Sequence, residues 1–264
     1  MNTCPRCKTP LDDDKIFCRE CWNIKGTPSC LLCVIVLLGL LSCAVPFPPS
    51  GSMLRANMAA VSARGKDIYI SITEQNNLRE TSNLPPIWPK TCQGTTNMPG
   101  DISSRVFTTS TEYFEVLLNN ASHETSNTVT HVPVIDASMF SGEGVPRCPP
   151  GQKLTSTNNM WMIAANITPE DSDIIPILIT RNVDVKEIER VVNFGGDTRN
   201  LNEMIAVGKG AYKTPFGEKG FVLVRKGGGT FSNTAKYARL KYIFAGQTLP
   251  ARDPSKPPIV YLLP

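Results

Sequence analysis

The sequence predicts an α+β protein with an N-terminal zinc ribbon, a single transmembrane helix, and an amphipathic helix packed on an antiparallel sheet. Three observations lead to this prediction. Cysteines cluster near the N-terminus, one uncharged apolar run follows them, and a helical apolar stripe then precedes several short β-branched segments. The 264 residues are 41% hydrophobic and 19% charged, which is the composition of a folded protein. The net charge of +4, without a run of Lys or Arg, predicts no nucleic-acid partner.

Residues 1–27 carry two CxxC pairs, Cys4 with Cys7 and Cys18 with Cys21. Each pair can place two thiolates on one edge of a tetrahedron, which is what a structural Zn²⁺ with four sulfur ligands requires. So small a module has almost no core, so the metal would supply most of its folding free energy. A closed four-thiolate site leaves no coordination position for a substrate, so we expect no catalysis there. Two disulfides, or free thiols in an unfolded leader, are the alternatives.

A single transmembrane helix is predicted over residues 29–47. No residue from Ser29 to Val45 is charged, and the run would extend about 25 Å as a helix, near the lower limit for a bilayer span. A buried core helix is the alternative. Basic residues precede the run closely at Lys15, Arg19 and Lys25. The next one is Arg55, so the positive-inside rule places the zinc module in the cytoplasm and the remainder of the chain outside.

Two processing events would change this layout. Leu40-Leu41-Ser42-Cys43 resembles a lipobox, in which Cys43 would be lipidated and everything before it removed. Cleavage by a prepilin peptidase after Gly26 is the other alternative. Both would separate the zinc module from the rest of the chain.

Residues 52–264 are predicted to form the extracytoplasmic α+β head. Prolines and a glycine between Pro46 and Gly51 interrupt the first helix, and Ser110 or Thr111 can cap a later one. The loop from Leu84 to Pro89 is expected to pack through its tryptophan. An amphipathic helical stripe follows Gly51, and we interpret it as core: Leu54, Met58, Val61, Gly65, Ile68 and Ile72. Strands are predicted at Trp161 to Ile167, Ile174 to Val183, Met204 to Val207, Gly220 to Arg225 and, as an edge strand, Ile259 to Leu263.

The head contains no recognisable catalytic motif, so we expect no enzymatic activity. Glycine-rich stretches at 208–210 and 226–230 lack phosphate-loop spacing and are better explained as tight turns. Calcium binding by Glu170, Asp171 and Asp173 is an alternative to a solvated turn, which we favour. Cys92 and Cys148 leave open a disulfide in an oxidising compartment, which would stabilise the fold by about 4 kcal/mol.

The layout of a cytoplasmic module, an apolar helix, an amphipathic helix and a small α+β head resembles type IV pilin-like proteins and type II secretion pseudopilins. Five stretches resemble head domains of pseudopilin-like proteins from Verrucomicrobia and Lentisphaerae: 63–69, 84–89, 159–161, 179–183 and 221–229. The resemblance covers residues 30 to 264. It implies a bacterial inner-membrane protein whose head lies in the periplasm. Its protein partners would pack against the transmembrane and amphipathic helices.

The N-terminus departs from the pilin pattern. Pilin precursors place a glutamate at the fifth position after the cleavage site, whereas Thr27 and Pro28 follow Gly26 here and the fifth position is Leu31. The pairing that sets filament register in pilins is therefore missing. The departure implies a pseudopilin-derived protein that keeps its zinc module and acts mainly as a tether. A membrane-tethered adaptor or sensor with a cytoplasmic zinc ribbon and an exterior ligand-binding domain is the alternative.

Overall fold

The computed structural model describes Thr3, Lys8 and residues 50–92, 101–123 and 135–264. Apart from Thr3 and Lys8, the predicted zinc module at 1–27 and the predicted span at 29–47 lie outside the described residues. The helices and strands, in chain order, are α1 (Ser50–Thr81), α2 (Ser110–His123), β1 (Trp161–Ala165), β2 (Pro176–Thr180), α3 (Lys186–Phe194), β3 (Gly196–Asp197), β4 (Gly220–Arg225), β5 (Thr230–Thr234), α4 (Leu240–Ile243), β6 (Thr248–Leu249) and β7 (Val260–Leu262).

The head is an α+β fold built on a five-stranded antiparallel sheet, as the sequence predicts. Its strand order is β5-β4-β2-β1-β7, and a separate two-stranded ribbon joins β3 to β6. The central strands β1, β2 and β4 are buried along nearly their whole length, which is why they read in the sequence as continuous apolar runs. The predicted edge strand at the C-terminus is confirmed, because β7 pairs only with β1 in this sheet.

Helix α1 packs against one face of this sheet through the predicted stripe. Met58, Val61, Ile68 and Ile72 are almost fully buried, and Leu54 is partly buried. The stripe crosses the sheet at Gly65, where a side chain would collide with Trp161 of β1 and Val224 of β4. The absence of a Cβ therefore lets the helix approach the sheet closely, and the prediction that the stripe is core is confirmed.

The other predicted elements are confirmed in part. Helix α2 begins at Ser110, and Trp88 of the proline-rich loop is buried. The strand predicted over Met204 to Val207 is wrong, since only isolated bridges form, from Met204 to Arg239 and from Val207 to Val183. The reason is that neighbouring backbone groups in this segment bind different partners, so no continuous ladder can form.

Helix α3 closes the outer edge of β7 with side chains in place of another strand. The side-chain amide of Asn193 accepts from the N–H of Ile259 at 2.8 Å and donates to its C=O at 2.8 Å. The carboxylate of Glu189 accepts from the N–H of Tyr261 at 2.7 Å. An unpaired edge invites association with other chains, and these three hydrogen bonds leave that edge occupied.

We expect Asn193→Ala to loosen this edge. The substitution leaves both backbone groups of Ile259 unpaired, at a cost of about 1–3 kcal/mol in the free energy of unfolding. Hydrogen exchange should show faster exchange at the Ile259 amide, whereas Asn202→Ala, at an exposed position, should leave it unchanged. An unchanged exchange rate in Asn193→Ala would contradict the edge-closing role.

Candidate functional site

The predicted zinc ligands Cys4, Cys7, Cys18 and Cys21 lie outside the described residues. Among the residues that are described, no cluster of three or more His, Cys, Asp or Glu side chains is arranged to hold a metal ion. A search of the described helices likewise finds none with both the length and the apolar character needed to cross a bilayer. The zinc module and the membrane span therefore stay predictions from the sequence.

Cys92 and Cys148 are both free thiols, so the disulfide that the sequence left open is not formed in this structure. The Cys92 thiol is exposed, whereas Cys148 is buried. The Cys148 sulfur faces carbonyl oxygens of its own loop, at 3.3 Å from that of Gln152 and 3.5 Å from that of Lys153. These polar contacts of Cys148 are thus local to its own loop.

The acidic turn after Thr168 forms three separate ion pairs. Glu170 pairs with Lys256, Asp171 with Arg252, and Asp173 with Lys226. Hydrogen bonds from Thr168, from its own backbone and from Lys256 lower the pKa of the Glu170 carboxyl to about 2. Because each carboxylate is bound to a different cation, the turn does not offer the converging oxygens that calcium needs.

The interpretation of this turn as solvated, which the sequence analysis favoured, is wrong at Asp171. The side chains of Asp171 and Arg252 are only 10% and 4% exposed, and their atoms lie 2.5 Å apart. Arg252 also donates to the backbone oxygen of Asn166 at 2.5 Å. This pair could not be predicted from sequence patterns, because its two members are far apart in the chain.

The prediction of tight turns between strands is confirmed for one of the two glycine-rich stretches. Residues 226–229 form the turn from β4 to β5, whereas residues 208–210 form bends after the isolated bridge at Val207 and connect no two strands directly. The hydroxyl of Tyr69 on α1 donates to the carbonyl of Lys226 at 2.7 Å. Gly228 has a φ of 77°, and a Cβ there would lie 2.8 Å from the ring of Tyr69. The N–H of Gly208 donates to the carbonyl of Asn182 at 2.6 Å. These contacts pack each glycine-rich stretch against the rest of the head.

A buried arginine that the sequence analysis missed joins three loops. The Arg181 side chain donates to the carbonyls of Ser156, Asn159 and Thr214, and to the hydroxyl of Thr214 at 2.7 Å. Its guanidinium carbon lies 4.8 Å above the centre of the Tyr212 ring. Burial lowers the pKa of Arg181. No carboxylate pairs with it among the described residues, so backbone oxygens and an aromatic face stabilise this charge.

Asp101 fastens the C-terminal end of α1 to the segment that follows. Burial raises the pKa of its carboxyl, but hydrogen bonds from Arg79 and Ser103 outweigh burial, so the pKa lies below its usual value. The Arg79 side chain lies 2.5 Å from the carboxylate and also donates to the carbonyl of Pro85. The carboxylate is therefore stabilised in its charged form in the folded protein.

We expect the pair of Arg79 and Asp101 to make the free energy of unfolding depend on pH in the acidic range. The pKa of the Asp101 carboxyl is lower in the folded protein than in the unfolded chain, where an aspartate has a pKa of about 4. The charged carboxyl therefore stabilises the fold fully above about pH 4. This contribution is lost as the pH falls through the pKa of the folded protein. The free energy of unfolding of Asp101→Asn should thus lie about 1–3 kcal/mol below that of the wild type near pH 7. Denaturant titrations should show this gap narrowing below about pH 4, and a gap that is constant with pH would contradict the assignment.

Helix α1 also has an outward side that does not contact the sheet. Met53, Ile70 and Leu78 are among the exposed large apolar side chains of the head. Between them the outward positions are mostly alanine near the N-terminal half and mixed charge further on. This side of the helix is exposed in the part of the chain that the structure describes.

Comparison with known proteins gives no match: no family model, no curated protein and no solved structure is similar to the chain. The fold and the sites above therefore define the class of the head, an α+β domain with a long N-terminal helix on an antiparallel sheet.

Proposed function

We propose that the chain is a non-enzymatic, membrane-anchored envelope protein, a pseudopilin-like component of a type II secretion or type IV pilus-like system. In this proposal residues 1–27 hold a structural Zn²⁺ on the cytoplasmic side. Residues 29–47 cross the bacterial inner membrane once, and the head lies in the periplasm or beyond the cell surface.

One observation carries the proposal, namely the position and packing of α1. The helix begins at Ser50, directly after the apolar stretch, and its buried stripe from Met58 to Ile72 belongs to the core of the head. A helix that enters the head from an anchor and packs on an antiparallel sheet is the arrangement that the pseudopilin resemblance implies. Its outward side, with Met53, Ile70 and Leu78, supports contacts with partner helices.

A membrane-tethered adaptor or sensor is the second candidate. It is favoured by the four-cysteine module itself, since a folded metal site suits a chain that keeps its N-terminus and binds a cytoplasmic partner. Leu31, where pilins carry glutamate, favours the same reading.

Mass spectrometry of the mature N-terminus tests the proposal against its alternatives. A chain that begins at Thr27 supports processing as a pilin but would show that the mature protein loses the zinc module. A start at lipidated Cys43 would make it a lipoprotein and contradict a spanning anchor. An intact Met1 keeps the zinc module with the anchor, as the proposal states, and favours the adaptor over a processed filament subunit.

The zinc assignment has its own test. We expect purified residues 1–27 to bind one Zn²⁺ and to fold only with it, because four thiolates supply the binding free energy that a core would otherwise provide. Replacement of Cys18 and Cys21 by serine should abolish binding. Folding of the peptide without metal would contradict the assignment.

A further inference from the structure

The two edges of the five-stranded sheet differ. The edge at β7 is closed by Asn193 and Glu189 of α3, whereas β5 at the other edge pairs with β4 and with no other strand among the described residues. Folded proteins usually cover or charge such edges, because an unpaired strand is a template for another strand. The open edge is therefore the place in the head where an added strand can bind.

The hydrogen-bond pattern identifies which groups of β5 face outward. The N–H of Ala235 donates to Lys219 and the N–H of Arg225 donates to Gly229, so the odd-numbered residues of β5 face β4. Antiparallel pairs alternate, and the N–H and C=O of Ser232 consequently point away from the sheet. Neither group has a hydrogen-bond partner within the described part of the chain.

A cleft of about 430 Å³ lies along this edge, beside the N-terminal part of α1. Arg55 contributes a cation from the helix and Lys236 contributes one from beyond β5, while Met58 and Tyr237 also line the cleft. Neither cation takes part in an ion pair with a described residue, and none of the described residues that line the cleft is acidic.

Aromatic rings continue the surface beyond the cleft. Tyr237 and Tyr242 are 40% and 39% exposed, and their ring centres lie 6.1 Å apart. The ammonium groups of Lys236 and Lys241 lie 4.8 Å and 5.0 Å from the centres of these rings. The edge thus combines unpaired backbone groups, unpaired positive charge and exposed aromatic surface.

We propose that the β5 edge binds an extended acidic peptide segment of another protein as an added strand. Main-chain hydrogen bonds to Ser232 supply the pairing, as in other cases of strand addition. Acidic side chains on the segment bind Arg55 and Lys236, and an apolar one lies on Tyr237. A second copy of this chain is disfavoured at the edge, because pairing two β5 strands would bring like charges together. This inference goes beyond the proposed envelope role.

The test uses the full chain and a fluorescent synthetic peptide of about eight residues in which Glu alternates with Val. We expect saturable binding that weakens at high salt and is lost with the matched Lys–Val peptide. Methylation of alternate backbone nitrogens should also abolish it when those nitrogens face β5, because they can then no longer donate. Fluorescence anisotropy measures the affinity, and sedimentation detects any self-association.

Three variants separate the contributions. Ser232→Pro removes an outward N–H without removing a bond to β4, and proline is tolerated at such edge positions. The double variant Arg55→Glu, Lys236→Glu reverses both exposed cations and should weaken binding at least about tenfold. The double variant Lys186→Glu, Lys209→Glu is the charge-matched control, since both lysines are exposed and neither lines the cleft, and it should bind as the wild type does.

Loss of affinity in Ser232→Pro and in the double variant, with an unchanged control, supports strand addition. Binding that responds to charge reversal but not to backbone methylation would reduce the site to a simple anion site and overturn the proposal. Absence of peptide binding, or dimers of the full chain that depend on Ser232, would overturn it as well.

Discussion

Replacement of Gly65 by alanine is expected to destabilise the head, although alanine is the better helix former. In an open helical position the change stabilises by about 0.5–1 kcal/mol. At Gly65 the new Cβ would lie 2.7 Å from Cη2 of Trp161 and 3.0 Å from Cγ2 of Val224. Both neighbours are fully buried in the sheet, so the helix must move outward, and we expect a net loss of about 1–3 kcal/mol.

The same helix supplies a matched control. A Cβ at Gly51 meets no atom within 4 Å, so Gly51→Ala should be neutral or slightly stabilising. Denaturant titration of the purified full chain measures both free energies of unfolding. Equal effects at the two positions would show that the close approach of α1 to the sheet is incorrect.

Replacement of Arg181 by methionine is expected to have the largest effect of any polar substitution proposed for the head. It leaves the carbonyls of Ser156, Asn159 and Thr214 without their donor, at a site that is buried at Asn159 and partly buried at the other two. An unpaired buried group costs about 1–3 kcal/mol, and water can reach the partly buried carbonyls, so we expect a total loss of about 2–4 kcal/mol. The midpoint of thermal unfolding should fall accordingly.

Arg181→Lys should restore little of this loss, because an ammonium group cannot reach several carbonyls at once or stack as a guanidinium does. The control is Arg199→Met, since Arg199 is exposed and its ion-pair partner among the described residues is the nearby Asp197. A surface pair of this kind contributes about 1 kcal/mol or less. Similar effects at Arg181 and Arg199 would contradict the role of Arg181 in joining these loops.

Much of the head could be predicted from the sequence because its apolar residues recur at regular spacings or in continuous runs. The stripe of α1 and the apolar runs of β1, β2 and β4 are produced by burial, which repeats along the chain at a fixed spacing. Helix α3 was missed although its signals are present: Glu187 and Glu189 lie in its first turn, Ile188 and Val191 form its buried side, and glycines follow it.

Other features left no local signal. Strand β5 reads Thr-Phe-Ser-Asn-Thr and is only half-buried, so neither alternation nor apolar content marks it. The pairs of Arg252 with Asp171 and of Arg79 with Asp101 join residues that are distant in sequence. Arg181 lies near the end of the predicted strand from Ile174 to Val183, and no acidic neighbour in the sequence indicates that its charge is buried. Such contacts follow from the tertiary fold alone.

The measurement that tests the two-sided arrangement most directly is thiol labelling in intact spheroplasts. Cys92 is exposed on the head and Cys148 is buried, so a reagent that cannot cross the inner membrane should modify Cys92 alone in the folded head. Mass mapping should then find the label at Cys92 on a chain that stays with the membrane fraction, and at Cys148 only after denaturation. Labelling of Cys92 only after the membrane is broken would place the head inside the cell and contradict the proposed topology.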